Sequence, residues 1–93
     1  MPDYRIYETD EIIETIARLP QNYIAFFKKK LEQYMYSQLS QEPFFGGKIK
    51  KLRGSIPDIW RYRIGEFRIF YTINTEEHIV YILSVDFRRN AYR

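Results

Sequence analysis

The sequence predicts an α+β fold, and three observations carry that expectation. Two segments with helical apolar spacing fill the first half, two alternating segments and a third run apolar on both faces fill the second, and Pro43, Gly46 and Gly47 mark the change between them. At 93 residues, 45% of them hydrophobic, the chain can build one core and is too short for two, so a single domain over residues 1–93 is expected. Nine tyrosines, seven phenylalanines and Trp60 supply large apolar surfaces that let a short chain stabilise itself.

Taken in order, Tyr4 to Tyr7 is a short strand, and Thr9 or Asp10 then caps a helix whose first turn carries Glu11 and Glu14 near its positive end. Ile12, Ile13, Ile16, Ala17 and Leu19 repeat at helical spacing, and Pro20 ends the helix. A second helix starts at about Asn22, with Ile24, Phe27, Leu31, Tyr34, Met35 and Leu39 on one side, so the two helices form a hairpin. The Lys28, Lys29, Lys30 run lies mostly off that stripe and reads as a solvated face. A basic stretch from Lys48 to Arg53 then leads into a turn around Gly54 and Pro57. From Ile59 to Ile64 the pattern alternates, with Trp60, Tyr62 and Ile64 on one face and Ile59, Arg61 and Arg63 on the other. From Phe67 to Ile73 it alternates again, and Gly65-Glu66 is a two-residue hairpin turn. The run His78 to Phe87 is apolar on both faces, as an interior strand would be, with Asn74 to Glu77 as the turn before it. The expected architecture is an N-terminal strand, an antiparallel helix hairpin and a three-stranded antiparallel meander, with the helices on one sheet face and the other face available.

The composition excludes several chemistries. The chain has no cysteine, which removes disulfides, thiolate metal sites and a thiol nucleophile and fits a reducing, cytoplasmic setting. Neither a signal segment nor a run of 18 apolar residues is present, so no membrane association is expected. His78 is the single histidine and has no neighbouring ligand, so no metal is expected. Glu76 and Glu77 read as solvated turn residues. Gly46-Gly47-Lys48 lacks the Ser or Thr and the preceding strand of a phosphate-cradling loop.

The charge is distributed unevenly. Residues 1–47 hold 5 basic and 7 acidic groups, whereas residues 48–93 hold 10 basic and 5 acidic, which points the second half toward a polyanion. If Gly65-Glu66 is a two-residue turn, Arg63 lies opposite Arg68 and Arg61 opposite Phe70. Facing like charges are unfavourable by a fraction of ~1 kcal/mol unless an anion sits between them. Position alone equally allows these arginines to coat a solvated face and discourage edge pairing. Arg88, Arg89, Tyr92 and Arg93 add basic groups and a phenol after the last strand. Guanidinium groups beside a phenol favour its ionised form, which would let Tyr92 exchange protons; packing of Tyr92 on the sheet edge is the alternative.

The run from Lys51 to Gly54, followed by Pro57-Asp58-Ile59-Trp60-Arg61-Tyr62-Arg63-Ile64-Gly65-Glu66-Phe67-Arg68-Ile69-Phe70-Tyr71, resembles the central signature of RelE-type toxins of the RelE/ParE superfamily. Ile82 to Tyr92, with Ser84-Val85 and Arg88-Arg89-Asn90-Ala91-Tyr92, resembles their closing strand and tail. The resemblance implies the toxin of a type II toxin-antitoxin system: a ribosome-dependent endoribonuclease that cuts messenger RNA in the A site and is restrained by an antitoxin protein. Its chemistry, attack of the RNA 2′-OH on the adjacent phosphate, uses no metal or cofactor. By position, the catalytic set carried over is Arg61, Arg63, Arg68, Arg88 and Tyr92. Lys51, Arg53, Phe70, Arg89 and Arg93 are the accompanying RNA-binding positions, with Phe70 as a stacking platform. The family pattern has lysines where this chain has Arg61 and Arg63. Arginine stays protonated, so these two clamp phosphate and cannot serve as a general base. The ParE-type relatives share the scaffold and instead poison DNA gyrase by binding it, which fold alone does not distinguish.

Overall fold

In the computed structural model, which describes residues 3–87, strand β1 (Arg5–Glu8) leads into helix α1 (Asp10–Ala17), and after Pro20 a long helix runs to Gln41. That helix is α2 (Gln21–Lys30), a π-helical segment (Leu31–Tyr36) and α3 (Ser37–Gln41) joined end to end. Four strands follow: β2 (Ile49–Lys51), β3 (Trp60–Ile64), β4 (Phe67–Asn74) and β5 (Ile79–Phe87). Together with β1 they form a five-stranded sheet in the order β1-β5-β4-β3-β2. Among the described residues no helix is long and apolar enough to cross a membrane.

The expected meander is present, and two strands extend it. β1 joins the far edge in parallel with β5, pairing Arg5 with Ile79 and Glu8 with Ile82, so β5 is the interior strand its composition implied. The stretch expected to lead directly into a turn instead forms β2, with Lys50 opposite Arg61 and Lys51 opposite Trp60. Three residues, two of them charged, make an edge strand that resists further pairing. Thr9 occupies the N-cap position of α1 without capping it: its hydroxyl donates to the Ile82 carbonyl oxygen at 2.7 Å, tying the helix start to β5.

The helices cover one sheet face. Ile12 and Ile16 of α1, then Phe27, Leu31, Met35 and Leu39 of the long helix, meet Tyr62, Ile69, Tyr71, Val80 and Ile82 in one core. Each such side chain contributes roughly 1.5–3 kcal/mol by leaving water. The four long-helix residues are spaced by four. In an α-helix each such step overshoots a turn by about 40°, so the row would rotate away from the sheet. The wider π turn corrects the drift and holds Leu31, Met35 and Leu39 inside. It also turns out Tyr34, which the spacing had assigned to the apolar side and which is 52% exposed.

Polar groups at the core margin find partners. The Tyr71 hydroxyl donates to the Pro43 carbonyl oxygen at 2.8 Å, and the Tyr36 hydroxyl donates to Glu8 Oε2 at 2.7 Å. Burial, followed by the Glu8 carboxylate, holds the Tyr36 phenol well above its usual range.

Candidate active site on the outer sheet face

The tight turn at Gly65-Glu66 sets the site. Gly65 takes φ of +57°, a left-handed conformation that costs glycine little, and the turn fixes Ile64 opposite Phe67. From that register Arg63 lies opposite Arg68 and Arg61 opposite Phe70, as the alternation predicts. Trp60, Tyr62 and Ile64 then point to the helices, which leaves the arginines on the uncovered face. On the same face β2 contributes Lys50 opposite Arg61, and β5 contributes Ser84 opposite Phe70 and Asp86 opposite Arg68.

Two rows therefore cross the outer face. One runs Lys50, Arg61, Phe70, Ser84, and the other runs Arg63, Arg68, Asp86. Neighbouring strands lie roughly 4.8 Å apart, so the four cations share a compact patch. Arg68 Nη2 donates to Asp86 Oδ2 at 2.6 Å, an ion pair whose side chains are 31% and 22% exposed. The anion that the opposed arginines require is thus partly supplied from within: Asp86 holds Arg68, while Arg63 is exposed and forms no ion pair with a described residue. Nε of Arg61 and Nε of Arg68 are buried with no hydrogen-bond partner. Such orphaned donors cost about 1–3 kcal/mol each, so stability alone does not account for this face.

A bulge in β5 places Asp86. Phe70 pairs with Ser84 and the next residue, Tyr71, pairs with Ile82, which leaves Leu83 as an extra residue. Before the bulge Val80 and Ile82 face the core; after it Val85 does, and Ser84 and Asp86 turn outward. The double-sided apolar pattern of this strand is in part the trace of that switch. Sequence reasoning passed over Asp86, although it is the one charged residue within β5.

The remaining expected positions divide. Phe70 is half-buried at the centre of the face. Lys51 has the opposite parity: it pairs with Trp60, its ammonium is 3.3 Å from Asp58 and 5.8 Å from the Trp60 ring, and the structure does not bring it to the arginines. Arg53 is exposed beyond the end of β2. Arg88, Arg89, Tyr92 and Arg93 lie outside the described residues. His78 packs its ring 4.9 Å from that of Tyr4, away from the basic rows.

The chain is 30% identical over 90 residues to the toxin RelG of Mycobacterium tuberculosis, spanning 97% of both. It is 29% identical over 82 residues to a toxin of Methanocaldococcus jannaschii named RelE1, spanning 88% of this chain and 87% of that one. Its fold superposes on a chain of the crystallised RelBE2 toxin-antitoxin complex of Mycobacterium tuberculosis with a TM-score of 0.72 and 28% identity, over 95% of this chain and 94% of the other. The family of the ParE toxin of the parDE type II toxin-antitoxin system matches residues 8–92, and the chain belongs to that family, within the RelE/ParE superfamily of type II toxins.

Proposed function

We propose that this toxin is a ribosome-dependent messenger RNA endoribonuclease and that the outer sheet face is its active site. The observation that carries the reading is the cluster of Arg61, Arg63 and Arg68 on one uncovered face, with Asp86 bracing Arg68. In the proposed reaction the RNA 2′-OH loses its proton and attacks the adjacent phosphorus. A five-coordinate phosphorane forms, the bond to the 5′-oxygen breaks, and that oxygen takes a proton. The products are a 2′,3′-cyclic phosphate and a 5′-OH.

Arg61 and Arg63 clamp the phosphate by two-pronged hydrogen bonding, and Arg68 stabilises the charge that accumulates in the phosphorane. Asp86 acts through Arg68 by fixing the plane of its guanidinium. Arginine cannot accept the 2′-OH proton, so that role goes to Tyr92, with Arg88 or Arg89 near the leaving oxygen. Phe70 offers a ring for a base of the bound strand. The toxin acts in the cytoplasm, where ribosomes are, and is restrained by an antitoxin protein; the RelBE2 relative was crystallised as such a complex.

The test is a reconstituted translation reaction in which messenger RNA 5′ ends are mapped by primer extension, with naked RNA as the control. New ends inside A-site codons only when ribosomes are present are expected. RNA left intact under both conditions would overturn the nuclease reading. It would favour inhibition of DNA gyrase by binding, the reading to which the ParE name of the matched family lends weight.

A further inference from the structure

A second basic feature lies away from the two rows, where the long helix passes the end of β3. β2 pairs with β3 only as far as Tyr62, and the Arg63 N–H donates to the Lys48 carbonyl oxygen at 3.0 Å. Beyond that bond this edge of β3 has no neighbouring strand among the described residues. A cavity of about 300 Å³ opens there, lined by Lys30, Tyr34, Lys48, Tyr62 and Arg63 together with Ile64 and Gly65. Three cations and two phenols meet in it, and no carboxylate is among the described lining residues.

The cations are not compensated locally. Among the described residues none of Lys30, Lys48 and Arg63 forms an ion pair. The Lys30 ammonium sits instead 5.2 Å from the Tyr34 ring and 5.4 Å from the Phe26 ring, between two side chains that are about half exposed. The π-helical segment has turned Tyr34 outward at this place, and π turns of this kind concentrate at functional sites. Burial raises the Tyr62 phenol above its usual range, so it keeps its proton and remains a donor; its contact with Gln38 Oε1 is long, at 3.4 Å.

We propose that this cavity is a second phosphate subsite for single-stranded RNA, with Lys30, Lys48 and Arg63 around the phosphate and Tyr34 stacking on the base attached to it. The subsite deepens the nuclease reading and rests on it for the class of ligand. Arg63 belongs to both places, so one strand crossing the outer face at Arg61 and Arg63 continues into the cavity around the open edge of β3. An acidic peptide would engage the cations and leave the Tyr34 ring unused, whereas RNA uses cations and ring together.

The experiment titrates the full-length protein into a short 5′-fluorescein oligouridylate, reads fluorescence anisotropy over a series of salt concentrations, and measures antitoxin affinity and ribosome-dependent cleavage beside it. For the doubly substituted Lys30→Gln, Lys48→Gln protein the slope of log affinity against log salt is expected to shrink by about 0.7 for the lost phosphate contact. Tyr34→Ala weakens binding about tenfold with little change in slope. Lys28→Gln, which removes one positive charge outside the cavity, binds like the wild type. RNA binding by the cavity variants that matches the wild type at every salt concentration would overturn the subsite. So would loss of antitoxin affinity alone, which would assign the cavity to a protein partner. A wild type that binds RNA with the expected variant effects and cuts nothing on the ribosome refutes the nuclease and leaves the subsite. A wild type that cuts, with cavity variants that bind and cut equally well, refutes only the subsite.

Discussion

Arg68 and Ile69 are adjacent in β4 and belong to opposite faces of the sheet. Ile69 is fully buried against the helices, among Tyr62, Tyr71 and Ile82, whereas Arg68 is partly exposed, opposed to Arg63 and held by Asp86. Among the described residues the inner face is apolar and leaves no buried side-chain polar atom without a partner. The outer face has facing like charges and orphaned guanidinium donors. Alternation with a period of two lets one strand serve both ends: shape is specified by every second residue and chemistry by those between. Stability and activity should therefore separate residue by residue along β4.

The largest expected effect is on the inner face. Ile69→Ala should cost about 2–5 kcal/mol, since it removes a fully buried side chain and leaves a cavity; urea unfolding measures it, and a loss below ~1 kcal/mol would break the assignment of Ile69 to the core. One position back, Arg68→Ala should leave unfolding nearly unchanged and slow ribosome-dependent cleavage by about 10²–10³, the usual consequence of removing one donor to a developing charge. Equal cleavage by Arg68→Ala and the wild type would end the proposed role of that arginine. Tyr92→Phe should slow cleavage at least about tenfold, as expected for loss of a proton-transfer group, and unchanged cleavage would take Tyr92 out of the mechanism.

The smallest effect sharpens the inner side of the comparison. Burial raises the phenols of Tyr36 and Tyr71 in the folded protein above their ordinary value of 10.0. The unfolded chain releases these protons more readily, so their contribution is fully present below pH about 10 and is lost as pH rises toward the folded values. Tyr71→Phe should cost about 1 kcal/mol at neutral pH, through the lost bond to Pro43, and should flatten the fall in stability above pH 10. An alkaline unfolding curve identical to that of the wild type would contradict the buried, neutral Tyr71.

The inner face was largely legible in the sequence because local periodicity encodes it. Phe67, Ile69, Tyr71 and Ile73 alternate, Gly65-Glu66 fixes the register, and the Arg63 and Arg68 pairing follows from these two facts without further information. What was hidden depends on partners distant in sequence or on departures from regular period. The pairing of β1 with β5 joins residues more than 70 positions apart, and nothing in Arg5–Glu8 names its neighbour. β2 carries two lysines in three residues and gives no alternation to read. The extra residue at Leu83 made one buried face look like two, and it hid the outward turn that brings Asp86 to Arg68. Tyr34 fitted an α-helical stripe and was turned out by a π turn that spacing does not announce. The shared face of Arg61, Arg63 and Arg68 was therefore legible in the sequence, and the carboxylate beside Arg68 and the cavity at the end of β3 needed the structure.

The central claim is that the outer sheet face is where messenger RNA is cut. Its most direct test replaces Arg61, Arg63 and Arg68 by alanine together and maps cleavage of ribosome-bound messenger RNA by primer extension beside the wild type, with circular dichroism to confirm that both are folded. The account predicts A-site ends from the wild type and none above background from a folded variant. Undiminished cleavage by that variant would contradict it.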